Sequence, residues 1–168
     1  FTVSVTNLTN AQPLSPVALI AHNASFNYFS VGTTASPELE TLAEGGDNSD
    51  LIAAAVGRTG VIAIDEGLGP IAPGGSGTID LRFLSSLIAT TEFSVATMLV
   101  NTNDAFTGIN GVSIATMNPG DVMSIDAITY DAGTEDNSET AVSIPGPAGG
   151  GEGFNMARDD RANQVTMH

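Results

Sequence analysis

Short apolar stretches, several of them alternating residue by residue with polar ones, recur along the whole chain. Phe1, Val3 and Val5 alternate with serine and threonine, which is the pattern of a strand with one buried face. Other strand-like runs occupy residues 17–22, 26–31, 61–65, 77–83, 93–100 and 122–130, with weaker ones at 112–117 and 164–167. Glycine, proline and asparagine separate these runs, notably at 73–75, 110–111 and 119–120. The pattern predicts an all-β fold, an antiparallel β-sandwich of about eight strands.

One interruption of the strand pattern is helical. Ser36 suits an N-cap and Pro37 suits the first helical position. Leu39 and Leu42 belong to an apolar stripe at helical spacing, and a glycine follows where the helix should end. A second short helix is expected over residues 50–56. We therefore predict one or two short helices inserted after the third strand.

No composition shift or linker divides the 168 residues, so the sequence predicts a single domain over 1–168. Five glycines among residues 146–153 indicate a flexible Gly-rich loop within it. The chain starts at Phe1 and enters a strand pattern at once. We expect a secreted, periplasmic or cell-surface product whose signal peptide preceded Phe1.

The charge balance narrows the classes of partner. The chain has 19 acidic residues, whereas arginine and lysine together number four, so the net charge is −15. Such a surface repels nucleic acids and anionic lipids, so we expect no nucleic-acid partner. No apolar run reaches the ~18–20 residues that a membrane helix needs, so no membrane insertion is expected. Cysteine is absent, which excludes disulfides and thiolate sites.

The most acidic segment follows the strand-like run 122–130. It carries Asp131, Glu135, Asp136 and Glu139, interrupted by a glycine. Carboxylates this close repel each other unless they are solvated, protonated or share a cation. Oxygen ligands at a turn suit calcium, although the spacing does not match an EF-hand. From the spacing alone, a calcium site and a solvated acidic turn both stay open.

A second oxygen-rich loop favours the calcium reading. Residues 101–104, Asn-Thr-Asn-Asp, follow the strong strand run 93–100. Two such loops at the ends of neighbouring strands can converge on one cation. The sequence thus predicts a site made by residues 101–104 together with the acidic turn.

Other chemistry has little support in the sequence. The Gly-x-Ser-x-Gly, HExxH and phosphate-loop motifs are missing, and we expect no enzyme. The two histidines, His22 and His168, each end a strand-like run. A transition-metal site shared between them and two unrelated histidines are both left open, because two ligands are few for such a site.

Several segments together carry a family resemblance. Tyr130 to Glu135 reads Tyr-Asp-Ala-Gly-Thr-Glu and leads to an Ile-Pro-Gly-Pro sequence that starts at Ile144. This motif resembles the aromatic-Asp-Ala-Gly-Thr-acidic motif of the spondin N-terminal domain family. The likeness covers effectively the whole chain, and it resembles the bacterial branch of the family in the segments 5–16, 35–39, 42–47 and 101–111.

The resemblance implies an antiparallel β-sandwich that binds one calcium ion. The ligand positions of the family fall on Asp104, Asp131 and Glu135 in this chain. Glu135 departs from the animal pattern, which has aspartate there, and its longer side chain would shift the ion or change how it is ligated.

These observations together predict a secreted calcium-binding β-sandwich. Its Ca²⁺ would be structural, and the domain would act in extracellular adhesion or matrix-type interactions, with other extracellular proteins or glycans as partners. A self-assembling subunit of an extracellular filament or matrix is an alternative, in which copies join through an exposed edge strand or the Gly-rich segment. A calcium-dependent module for glycans or small ligands is a further alternative.

Overall fold

The computed structural model describes residues 1–138, 140–155 and 163–168. In these ranges two α-helices cover Pro37–Gly45 (α1) and Ser49–Ala55 (α2), and two 3-10 helices cover Ser85–Thr90 and Ala141–Ser143. The strands there are Thr2–Thr6 (β1), Ala18–His22 (β2), Val61–Glu66 (β3), Ser76–Asp80 (β4), Glu92–Met98 (β5), Ala105–Ser113 (β6), Ile128–Asp131 (β7) and Thr166–Met167 (β8).

The strands form two antiparallel sheets. β1 pairs with β4 in a two-stranded sheet, and the larger sheet has the order β3-β2-β5-β6-β7-β8. The predicted all-β fold, an antiparallel sandwich of about eight strands, is confirmed.

Strand β2, inside the larger sheet, is buried on both faces. In β2, Ala18 and Ile20 pack into a cluster that includes side chains of α1 and α2. The alternate residues Leu19 and Ala21 pack into a second cluster, which includes Ile79 of β4. Successive side chains of a strand point to opposite faces, so β2 separates two apolar cores. This explains why all five of its residues are buried and why its sequence does not alternate.

Local signals set the first helix as predicted. The Oγ atom of Ser36 accepts a hydrogen bond from the Leu39 N–H at 3.3 Å, and Pro37 opens α1. Leu39 and Leu42 are fully buried. The helices follow the second strand and not the third, because residues 26–31 form a loop.

The loop at 26–31 was predicted as a strand because it is aromatic-rich, and that prediction is wrong. Its aromatic side chains cover the core without joining a ladder. The ring of Phe29 meets Phe106 and Tyr130 edge-on, with centroids 5.0 and 4.8 Å apart. Burial of aromatic surface therefore explains this composition, and pairing of the backbone does not.

The turn predicted at Asn110 and Gly111 is also wrong, because both residues lie inside β6. They face Ser94 together, which makes a β-bulge between β5 and β6. Gly111 adopts a φ of 70°, and its N–H donates to the Oγ of Ser94 at 2.9 Å. Glycine readily adopts the left-handed conformation that this bulge requires. Many turns require the same conformation, so the glycine alone did not distinguish a bulge from a turn.

The predicted strand over 122–130 begins only at Ile128. Its ladder with β6 ends where Gly108 faces Ile128, just before the bulge. Residues 122–127 are all exposed and form no described secondary structure. We call this segment the exposed arm.

The Gly-rich segment 146–153 packs against the loop that follows β5. The N–H of Gly146 donates to the carbonyl oxygen of Val100, and the N–H of Ala148 donates to Oδ1 of Asn101, each at 2.9 Å. A Cβ atom on Gly146 would overlap both of these acceptor residues. The glycine thus permits a close approach of two backbone segments, and the predicted flexibility of the segment stays a prediction.

Gly146→Ala is expected to lower the free energy of unfolding by about 2 kcal/mol, because the added methyl group must displace the backbone at Val100. Denaturant unfolding measures the change. Gly69→Ala is the matched control, since a Cβ there meets nothing within 4 Å and needs no left-handed backbone. Its expected effect lies within about 0.5 kcal/mol of zero. Equal stabilities of the two variants would contradict the close packing at Gly146.

Candidate metal centre

The loops that follow β5 and β7 lie side by side. In the antiparallel ladder of β6 and β7, Ala105 faces Asp131, so the residue before β6 meets the residues after β7. The backbone N–H of Ala132 donates to the carbonyl oxygen of Asp104 at 3.1 Å. The structure thus brings together the two oxygen-rich loops that the sequence singled out.

Asp104 joins the two loops through its side chain. It is 1% exposed, and its Oδ2 accepts hydrogen bonds from the N–H groups of Thr134 and Glu135 at 2.9 and 3.1 Å. Burial raises the pKa of the Asp104 carboxyl, and the negative charge of Asp131 raises it further, while the backbone hydrogen bonds lower it. Its ionised form is therefore held by two donors but opposed by burial and by a neighbouring charge.

Asp131 shapes the turn that follows β7. Its Oδ1 accepts from the N–H of Gly133 at 2.7 Å, and its Oδ2 accepts from Nδ2 of Asn137 at 2.9 Å. The Nε2 atom of His168 lies 3.5 Å from the same Oδ2, and forms an ion pair with it when the imidazole is protonated. Asp131 thus holds both ends of the turn and contacts the end of β8.

The other acidic residues of the turn divide by burial. Glu135 is buried at 4% exposure, next to the hydrogen bonds that Asp104 receives. Asp136 is exposed. Glu139 lies outside the described residues.

Glu44 of α1 is a fourth acidic residue at this place, and the sequence analysis did not assign it to the site. It is 1% exposed, and within the described chain neither carboxylate oxygen makes a hydrogen bond of good geometry. Burial raises the pKa of Glu44 to about 7; the Thr134 hydroxyl lowers it, and the charges of Glu135, Glu40 and Asp104 raise it further.

In the sequence, Glu44 stood out only as part of the family-like segment 42–47, and nothing there gave it a role at the site. Leu39 and Leu42 mark the buried stripe of α1. Glu44 comes two residues after Leu42, so it points away from that stripe on a helical wheel. Amphipathic periodicity therefore predicts an exposed glutamate. The acidic turn covers this side of the helix, and a contact so distant in sequence leaves no periodic trace.

The donor chemistry of these residues fits a hard divalent cation. Carboxylates from Asp104, Asp131 and Glu135 supply oxygen only, and burial disfavours the charge on Asp104 unless something offsets it. Over the ranges that the structure describes, no three acidic or histidine side chains are arranged to hold a metal ion. The residues therefore fit calcium by the chemistry of their donor atoms, and their side chains as placed do not form a coordination shell.

The two histidines do not share a site. His22 is fully buried, with Nε2 2.7 Å from the Oγ of Ser94 and Nδ1 2.9 Å from the carbonyl oxygen of Asn23. His168 follows β8, and three strands (β5, β6 and β7) lie between β8 and the strand that carries His22. At about 4.8 Å per strand spacing, the two strands are about 19 Å apart. His22 is thus part of a buried hydrogen-bonded network.

The fold is an antiparallel β-sandwich in which two acidic loops lie side by side. The Spondin_N family model matches residues 8–146, which include Asp104, Asp131 and Glu135, and the chain belongs to the spondin N-terminal domain family. This is a family of extracellular or secreted domains, and neither the family nor this fold is typical of enzymes. No curated protein matches the chain significantly. In the part of the chain described, no helix has the length and apolar character needed to cross a membrane.

Proposed function

We propose that this domain binds one structural Ca²⁺ between its paired acidic loops, and that the surface shaped by these loops serves adhesion or matrix-type contacts outside the cell. Asp104, Asp131 and Glu135 would hold the ion, with backbone carbonyl oxygens and water as further ligands. When bound, the ion supplies positive charge next to carboxylates that otherwise repel each other.

The hydrogen bonds of Asp104 carry this proposal. One buried oxygen of this residue holds the N–H groups of Thr134 and Glu135, so the shape of the turn depends on it. A carboxylate accepts stronger hydrogen bonds when it is ionised. Burial and the charge of Asp131 oppose that ionised form. A cation that favours it would strengthen the contact between the two loops.

The extracellular role rests on the family and on the charge. Spondin N-terminal domains are extracellular or secreted, and a net charge of −15 suits a surface that meets calcium-rich surroundings. The chain would act there as a binding module whose partners are proteins or glycans. Its own residues would fix the loop geometry that such a partner contacts.

Calcium is expected to raise the melting temperature over that of the chelator-treated protein. At calcium concentrations about 100-fold above Kd the gain is about 2.7 kcal/mol, which corresponds to roughly 5–10 °C for a domain of this size. Asp131→Asn is expected to remove most of this difference, because it removes a charged ligand and keeps the shape of the side chain. Differential scanning calorimetry with and without calcium measures both effects.

Asp126→Asn is the matched control, because it removes the same charge from an exposed position. This variant should keep the full response to calcium. Magnesium at equal ionic strength separates specific binding from general screening of the acidic surface. A melting curve of the wild-type protein that does not change on chelation would contradict the calcium site.

A further inference from the structure

The exposed arm presents apolar side chains that the domain does not cover. Val122 is 93% exposed, and Met123 and Ile125 are 44% and 43% exposed. The exposed run begins before the arm, at Asn118, and reaches Ile128. Scattered exposed apolar residues are ordinary, but three within four consecutive positions on a projecting segment indicate a contact surface.

The backbone of the arm is also free to pair. In the described chain, no hydrogen bond joins the N–H and C=O groups of residues 122–127 to other residues. Residues 122–127 contain no turn or bend. A strand with an unpaired backbone is a template for pairing with another strand.

The β6 bulge explains why the arm does not continue the sheet of its own chain. A continued ladder would place residues 123–127 opposite residues 109–113. The bulge at Asn110 and Gly111 lies in the middle of that stretch and bends β6 there. The arm therefore separates from β6.

The outer edge of β3 is the candidate acceptor. β3 is the terminal strand of the larger sheet, so one side of its backbone has no neighbouring strand among the described residues. Four consecutive apolar residues, Val61 to Ile64, pack against the two cores and stay half-exposed. β3 contains no proline and no lysine; its register against β2 shifts at Ile62, and its exposed charges are confined to its last two residues, Asp65 and Glu66. An added strand would complete the burial of these side chains.

The other edges fit the arm less well. At the opposite end of the sheet, β8 has only two residues. The small sheet offers five-residue strands in which serine, threonine and glycine dominate. β3 has six residues, as the arm does. Length and apolar character thus select β3.

We propose that residues 122–127 of one copy add as an edge strand to β3 of a second copy. Met123 and Ile125 share one face of the arm and would extend one of the two apolar faces of the sheet, with Ser124 and Asp126 on the opposite face. The arm leaves from β7 and the acceptor lies at the far edge, beyond β6, β5 and β2. Because donor and acceptor are different surfaces, the contact repeats from copy to copy and builds a ring or an open chain.

Ser124→Pro tests the proposal in the intact domain. Proline accepts an extended backbone but cannot donate to a ladder, so we expect it to weaken self-association at least about tenfold. The melting temperature of the dilute monomer should stay unchanged, because the arm makes no backbone hydrogen bond there. Ser124→Ala is the control and should associate like the wild type. Sedimentation velocity over a concentration series measures the mass, with 17.0 kDa for the single chain.

Varying the ionic strength in the sedimentation experiment gives a second test of the proposed self-association. Copies with a net charge of −15 repel each other, so added salt should strengthen the association. Wild-type protein that stays monomeric at high concentration and high salt would overturn the proposal. Equal association of the proline and alanine variants would overturn it as well.

Cross-linking locates the contact, because the chain has no cysteine of its own. Ser124→Cys protein mixed with Ala63→Cys protein should form disulfide-linked pairs under mild oxidation. Such pairs should require both variants. Dimers formed by Ser124→Cys protein alone would show arm-to-arm contact and would overturn the assignment to β3.

Discussion

Asp104→Ala is expected to destabilise the calcium-free domain by about 4 kcal/mol. The substitution leaves the buried N–H groups of Thr134 and Glu135 without their acceptor, at about 2 kcal/mol for each group. A domain has only about 5–15 kcal/mol of total stability, so this variant approaches the limit of folding. Chemical denaturation in the presence of chelator measures the loss.

Asp104→Asn separates the hydrogen bonds from the charge. Its amide oxygen can still accept from the two N–H groups, so the expected loss without calcium is only about 1 kcal/mol. The response to calcium should nevertheless disappear, because a neutral amide replaces a buried carboxylate. A full calcium response in Asp104→Asn would contradict the assignment of this residue as a ligand. Equal destabilisation by asparagine and alanine would contradict the role of the oxygen as a backbone acceptor.

The calcium-free protein is expected to lose stability as the pH rises from about 4.5 to about 7. Burial raises the pKa of Glu44 from its ordinary 4.5 to about 7 in the folded state. In this window the folded protein binds more protons than the unfolded chain, so the free energy of unfolding falls with increasing pH. At 1.4 kcal/mol per pH unit, Glu44 contributes about 3 kcal/mol to the total fall. The raised pKa of Asp104 acts in the same direction.

Glu44→Gln should flatten this dependence, because a neutral amide has no proton to lose. The difference between wild type and variant isolates Glu44 from the general repulsion within an acidic protein, which has the same sign. Glu66→Gln removes an exposed carboxylate and serves as the control. Urea unfolding at pH values from about 4 to 8 in the presence of chelator measures the slopes. Parallel curves for wild type and Glu44→Gln would contradict the raised pKa.

Local signals in the sequence were sufficient for much of the fold. A strand that alternates polar and apolar residues, such as β1, and a helix with its cap at Ser36 are set by interactions within a few residues. The predictions for residues 26–31 and for Gly111 were wrong because composition does not distinguish the structures involved. The aromatic residues of 26–31 cover a core from a loop, and Gly111 lies in a bulge inside a strand. The same bulge ends the ladder of β7, which the apolar pattern of residues 122–127 could not reveal.

The residues of the candidate site likewise fall into those that the sequence identified and one that only the structure shows. Asp104, Asp131 and Glu135 were found from acidic motifs and from a family resemblance, and the family is confirmed. Their role as calcium ligands stays a proposal. The burial of Glu44 beside these residues could not be predicted, because its position in the helix indicates an exposed residue. It is buried by a turn nearly ninety residues away in the chain.

The sequence by itself therefore determined the class of fold, the ends of the first helix, the family and the two acidic loops. These depend on periodicity and on motifs of neighbouring residues, which are visible in a linear chain. Only the tertiary structure decided that the oxygen of Asp104 holds the second loop, that Glu44 lies buried beside it, and that the exposed arm stays unpaired. Each of these depends on which strands pair and where a ladder stops, and such contacts between distant residues are set by packing of the whole domain.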